Sequence, residues 1–234
     1  MPAIRIEDRR TYALGLDFST RAVKTVVLDI NEAEIVCTGT IEYDNALAHY
    51  GTRGGVLPAD EPTLRHTSPF MLIEALDLAF SELNRTGLDV GCIAAVKVDA
   101  MQHCTIYADS AFGERLACLD PGQPMLPQLQ AGIMRETSPI WEDRSPVREV
   151  EYLTDALKER GSIQALTGNV AEPRFPAAQI MQWAIQSPQE YSRTAHIFLL
   201  SAFLTSILAG RIAPVDTGDG WGTNLNRLDI DRPG

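Results

Sequence analysis

Cysteine is scarce and scattered in this 234-residue chain, where Cys37, Cys92, Cys104 and Cys118 stand alone with no C-x-x-C spacing. That pattern excludes a zinc ribbon or a disulfide framework, and it leads us to expect a reducing, cytoplasmic compartment. Positive charge is also short: 20 Lys and Arg face 31 Asp and Glu, for a formal charge of −11. No basic stripe is available to replace counterions along phosphates, so nucleic acid is not an expected partner. Long apolar runs are missing too. The longest, Ile197 to Leu208, is interrupted by Ser201, Thr205 and Ser206 and is shorter than a membrane span. The first ten residues lack the apolar core of a signal peptide, and no membrane partner is expected. Repeats and low-complexity segments are absent. The length suits one large α/β unit over residues 1–234.

What is present begins with a hairpin. Tyr12 to Phe18 and Val23 to Asp29 carry the β-branched, aromatic and apolar residues of half-buried strands, and the residues between them are small or polar. Asp17 therefore stands at a strand end beside the Ser19 and Thr20 hydroxyls. Such a carboxylate can hold Mg²⁺ through water while turn amides donate to phosphate oxygens. An ordinary hairpin also uses an acid to cap its turn, and both readings stay open here. Glu34 to Tyr43 alternates as a third strand and completes a meander. Tyr50 to Val56 contains three glycines and reads as a surface loop, because no helix opens directly behind it. Ser68 and Pro69 then start a helix whose face is Phe70, Ile73, Leu76, Ala79, Phe80 and Leu83, running to Asn84. Cys92 to Val98 predicts an inner strand buried on both faces, with Thr105 to Ala108 as its antiparallel continuation. Meander, helix and central strand in that order predict an α/β fold of the actin-like, ribonuclease-H-like kind, with a mixed five-stranded sheet flanked by helices.

Beyond the central strand come Gln102 and His103, where ligands of open α/β sheets bind. A lone histidine also serves structure, and an uncharged ring that donates and accepts suits a polyhydroxylated ligand. Asp143 and Arg144 either pair at the surface or line a pocket walled by Trp141. Ser145 is placed to cap a helix that Pro146 starts. Arg174, held between Pro173 and Phe175, offers a planar fork to carboxylate, phosphate or sugar hydroxyls, or makes a structural salt bridge. A helix is expected over Ala177 to Gln186, and an apolar one over Ile197 to Ala209 that Gly210 ends. The glycine- and acid-rich tail from Ala213 to Leu225 fits no calcium loop and reads as a tight loop docked on the sheet.

Several strings then agree in order: Asp17-Phe18-Ser19-Thr20 with Val23-Lys24, Tyr50-Gly51-Thr52-Arg53-Gly54-Gly55-Val56, Gln102-His103, Ser138-Pro139-Ile140-Trp141-Glu142-Asp143, Leu166-Thr167-Gly168, Arg174-Phe175 and Ala213-Pro214-Val215-Asp216. Together they resemble the FGGY carbohydrate kinases, and within them the xylulokinase type. The resemblance implies ATP-dependent phosphorylation of a ketopentose, D-xylulose before others, in a cleft between two actin-like domains. It implies that Asp17 positions Mg²⁺ and the transferring phosphate, and that Ser19, Thr20 and Lys24 lie along the phosphates. His103 and Arg174, with Gln102 and Asp143 in the same region, match positions on the sugar side.

Two departures qualify the match. The family shows small residues in a pattern near S-G-Q-x-H-G, whereas this chain has Asp99, Ala100, Met101 and Cys104 around the histidine. A changed pocket floor can alter discrimination between sugars by about 1 to 3 kcal/mol, which leaves ribulose or glycerol as alternatives. The family's G-x-G-D segment, which carries the general base, has no counterpart here. The chain is therefore expected to be an N-terminal half without its C-terminal nucleotide-binding domain, inactive alone, with a homodimer left open. The competing class is a non-catalytic sugar-binding or regulatory module derived from such a kinase.

Overall fold

The computed structural model describes residues 10–228. All but the last residue of the N-terminal stretch read for a leader, Met1 to Arg10, lies outside the described residues. The chain opens with the meander β1 (Tyr12–Phe18), β2 (Ala22–Asp29) and β3 (Glu34–Glu42), followed by the short α1 (Tyr43–Ala46). Next come β4 (His66–Thr67), α2 (Pro69–Arg85), β5 (Ile93–Ala100) and β6 (Thr105–Ala108). The remainder is largely helical: α3 (Phe112–Ala117), α4 (Met125–Leu129), β7 (Ser138–Pro139), α5 (Val147–Leu157), α6 (Ile163–Thr167), α7 (Pro176–Gln186), α8 (Pro188–Ser192), β8 (His196–Leu199), α9 (Leu200–Ala209) and α10 (Thr217–Trp221).

The period of two in β1 sets the core. Tyr12, Leu14, Leu16 and Phe18 are buried, while Ala13, Gly15 and Asp17 on the opposite face remain half-buried. Below the buried face lies α2, which Ser68 caps by accepting from the Met71 amide and which Pro69 starts, as its sequence predicts. It buries Met71, Leu72, Ile73, Ala75, Leu76, Ala79 and Leu83. Burying each of the Met, Leu and Ile side chains among them is worth about 1.5–3 kcal/mol relative to leaving it in water.

The main sheet has four strands in the order β3-β2-β1-β5, with β1 and β5 parallel, rather than the five expected. The expected continuation, β6, leaves the sheet and pairs with β8 instead. The cause is local. The Met101 amide still donates to the Phe18 carbonyl, but His103 then takes a left-handed backbone conformation (φ 64°) that turns the chain away. β5 is consequently an edge strand, and Ala94 to Lys97 are exposed rather than buried on both faces.

Other expectations shift for equally local reasons. The apolar run from Ile197 splits into strand β8 and helix α9, because its first residues pair with β6. Ser145 does not cap α5; its hydroxyl donates to Asp143 instead. The tail forms α10, with the Asp216 carboxylate accepting from the Gly218 amide, and it docks near His103 rather than on the sheet.

The glycine loop is not a free surface loop. Gly51, Gly54 and Gly55 all have positive φ, and the Asp44 carboxylate accepts from the Thr52 hydroxyl at 2.7 Å, the Gly54 amide at 2.5 Å and the Gly55 amide at 3.1 Å. Burial pushes the Asp44 carboxyl up, but these hydrogen bonds and Arg21 more than offset it and hold it below its ordinary value. The loop presses on the β1–β2 turn so closely that a Cβ on Gly55 would lie 1.8 Å from the Thr20 carbonyl oxygen. A Cβ on Gly51 would meet nothing within 4 Å. Both glycines are left-handed, so Gly51→Ala is expected to cost about 1–2 kcal/mol from backbone strain alone. Gly55→Ala adds the collision and should cost roughly 3 kcal/mol or more. Urea unfolding of the two variants measures the difference, and equal losses would show that the loop is not seated on the turn.

Candidate active-site cleft

The carboxyl ends of β1 and β5 open onto a cleft of about 650 Å³, lined by Asp17, Ser19, Thr20, Asp99, Met101, Gln102, His103, Trp141, Asn169, Arg174, Phe175 and Gly222. That volume suits a small polar molecule. Asp17 is the penultimate residue of β1, on the face turned away from α2. Its neighbours across the sheet are Lys24 on β2 and Asp99 on β5. A second cavity of about 1000 Å³ adjoins the first, shares Ser19, Thr20 and Trp141, and carries Arg21, Lys24 and Arg53.

The turn residues are partly committed to structure. Ser19 donates its hydroxyl to the Ala22 carbonyl at 2.9 Å, closing the turn. Thr20 accepts from the Trp141 indole at 3.0 Å, so this hydroxyl lies on the ridge between the two cavities. Lys24 stays exposed on the open face.

His103 is held by packing on both sides. Its ring centroid lies 4.9 Å from that of Phe175, and a Cβ on Gly222 would come within 3.0 Å of Cε1. Burial, and then the Arg174 guanidinium, pull its imidazole below the ordinary value, which leaves the ring neutral near pH 7. A neutral ring offers one donor and one acceptor. The Arg174 guanidinium lies 5.6 Å from the Phe175 ring, and its Nε is buried without a hydrogen-bond partner. Asn169, missed in the sequence, joins the wall by donating to the Trp221 carbonyl at 2.8 Å. Only the neighbouring Leu166-Thr167-Gly168 string signalled it.

Asp143 is placed elsewhere. It is 0% exposed and accepts from the Arg65 amide, the Ser145 amide and hydroxyl, and the Gln179 side chain at 2.7–2.9 Å, so it does not line the cleft. The loop it fixes carries Trp141, two residues away, which does line the cleft. His66 is 3.4 Å from the same carboxylate and 2.8 Å from the Thr137 hydroxyl. Burial pulls the His66 imidazole down, Arg135 adds to this, and Asp143 opposes it only in part.

No three His, Cys, Asp or Glu side chains cluster as a metal site among the described residues. Asp17 and Asp99 are the carboxylates of the cleft. That donor set suits a cation held mainly through water by one or two carboxylates and by substrate, as Mg²⁺ is, rather than a closed protein cage. No helix among the described residues is long and apolar enough to cross a membrane.

The fold and cleft together define an actin-like domain of the kind found in sugar kinases. A xylulose kinase from Rhodospirillum rubrum superposes with a TM-score of 0.71 at 14% identity, covering 93% of this chain and 38% of that one. A gluconate kinase from Lactobacillus acidophilus superposes at 0.66 with 18% identity, covering 95% and 38%. No family model matches the sequence. Curated relatives do: a xylulose kinase of Mus musculus is 33% identical over 220 residues, covering 94% of this chain and 40% of the relative. One from Saccharomyces cerevisiae is 30% identical over 218 residues, covering 92% and 36%. Over 94% of its length the chain is thus similar in sequence to xylulose kinases, and it shares its fold with solved sugar kinases. It spans about two fifths of the length of these relatives.

The imidazoles give this domain a pH dependence. A histidine whose folded pKa is depressed stabilises the fold above its unfolded value, and that stability is lost as pH falls through the folded value. From pH 7.5 down through the ordinary histidine value of about 6.5, Tm should therefore decline. His66→Gln is expected to lower Tm at every pH and to reduce this slope, with His103 carrying the remainder. Calorimetric melting across pH 5–7.5 checks it, and an unreduced slope would assign the dependence to other groups.

Proposed function

We propose that this chain is the sugar-binding, phosphate-facing domain of an ATP-dependent carbohydrate kinase acting on a ketopentose, with D-xylulose giving D-xylulose 5-phosphate as the preferred assignment. The observation that supports it most is the position of Asp17 in the hydrogen-bonding cleft, next to the Ser19–Thr20 turn that this cleft shares with a cavity bearing three cationic side chains. The similarity to xylulose kinases over 94% of the chain supports the substrate class.

In this reading the ketose lies against His103 and Arg174, with Gln102 at the floor. Neutral His103, one ring nitrogen of which is taken by the Gly222 backbone, offers the other to the sugar, and Arg174 turns its guanidinium toward a hydroxyl oxygen. A sugar hydroxyl oxygen attacks the γ-phosphorus of ATP, the bond to the bridging oxygen breaks, ADP leaves, and the hydroxyl proton passes to a base. Negative charge spreads over the equatorial oxygens, where the Thr20 amide and the Lys24 ammonium stabilise it, while Ser19, whose amide and hydroxyl both donate to the Ala22 carbonyl, holds the turn in shape. Mg²⁺, when bound, neutralises the phosphates, and Asp17 holds it through water. The base and most of the adenosine contacts belong to a second domain that the resemblance implies. By itself the chain binds sugar weakly and turns over nothing. Asp143 acts here as a positioning residue, through Trp141.

A non-catalytic sugar-binding module remains the second reading, and the carboxylate at position 99 is the feature that favours it. Titration calorimetry of the chain with D-xylulose, L-ribulose and glycerol separates the two. The kinase reading expects D-xylulose to bind best and His103→Ala to weaken it by about tenfold or more, as for removal of a buried polar contact. Indifference to all three sugars would overturn it, and sugar-dependent ADP release by the chain alone would overturn the assignment of the base to another domain.

A further inference from the structure

Asp99 and Arg174 line the same cleft, yet among the described residues no ion pair joins them. Arg174 keeps a buried Nε without any partner. Asp99 is exposed on the open face, and the acceptor work recorded for its side chain is the Ala100 amide at 2.9 Å, which fixes one carboxylate oxygen and leaves the other to the cleft. Both groups are thus oriented by their own surroundings and not neutralised by one another. His103 lines the same cleft. A ligand that spans this arrangement must donate to the carboxylate at one side and accept from the guanidinium at the other. Adjacent hydroxyls do both, since each O–H donates and its oxygen accepts.

We infer that Asp99 is a specificity-determining residue, accepting hydrogen bonds from a vicinal diol of a neutral ketose or polyol and excluding sugar acids. The exclusion follows from the register. Asp99 lies directly beside Asp17 on the neighbouring strand, so the β1–β5 edge of the cleft already carries two carboxylates. A substrate carboxylate brought to that edge meets like charge, and its oxygens cannot donate to Asp99. The hydroxyl-bearing ligand meets neither obstacle. The inference rests on the sugar-binding reading of the cleft and names the substrate class within it.

NMR titration of the chain with D-xylulose and D-gluconate tests it, comparing the wild type with Asp99→Asn, Asp99→Ala and His103→Ala. Circular dichroism confirms the fold of each; Asp99 is exposed, and the variants are expected to remain folded. The wild type should bind D-xylulose in preference to D-gluconate. Asp99→Ala should weaken D-xylulose binding by about tenfold, the scale of a hydrogen bond to a charged acceptor. Asp99→Asn should move the preference toward D-gluconate by about tenfold as the like charge is removed. If D-xylulose binds and His103→Ala abolishes binding, while both Asp99 variants keep the wild-type preference, the role of Asp99 is overturned and the sugar site stands. If neither sugar binds the wild type saturably, the sugar-site reading fails and takes this inference with it.

Discussion

The contact on which the candidate site depends is the seating of the glycine loop on the first hairpin turn. Gly55 lies where a methyl group would collide with the Thr20 carbonyl, so the turn cannot adopt its shape unless position 55 is glycine. Asp44 then makes the approach favourable by accepting from Thr52, Gly54 and Gly55 together. One carboxylate gathers three donors from a loop that would otherwise have to leave its amides in water. The Tyr43 hydroxyl donates to the Ser19 carbonyl from the other side, and its ring is wholly buried. The turn that carries Ser19 and Thr20 is thereby fixed from below and from the flank.

A second support reaches the same turn from the opposite wall of the cleft. Asp143 is a buried acceptor for Arg65, Ser145 and Gln179, drawn from segments far apart in the chain. Removing it would orphan those donors, which is costly in a buried place. What this network holds is the loop bearing Trp141, and Trp141 in turn donates to Thr20. The cleft is therefore braced by two carboxylates outside its lining, Asp44 and Asp143, and lined by two others, Asp17 and Asp99.

Much of this was legible in the sequence, and the failures share a cause. Strand alternation in Tyr12 to Phe18 and the Ser68-Pro69 helix start are local signals, and both elements formed where the residues predicted. The fifth strand was not local: Thr105 to Ala108 looks like a strand and is one, but its partner, β8, lies some ninety residues onward, and nothing near it specifies that pairing. The left-handed turn at His103 that diverts the chain occurs at a residue type that adopts it only under tertiary restraint. Asp143 was similarly ambiguous. Its sequence neighbours, Trp141 and Arg144, suggest a pocket wall, whereas the four hydrogen bonds it accepts come from residues 65, 145 and 179. Gly55 was legible as a glycine but not as a contact, because the atom it accommodates belongs to Thr20.

The strained backbone at His103 is matched by close packing around its ring. A histidine at φ 64° pays roughly the cost of any left-handed non-glycine residue, about 1–2 kcal/mol, and persists only if its surroundings fix it. Phe175 and Gly222 supply that restraint by packing against the ring, and Phe175 also stands beneath Arg174. The same aromatic ring thus orients both the neutral imidazole and the guanidinium, so neither has to be reorganised when a ligand arrives. Groups held in this way lose little entropy when a ligand binds.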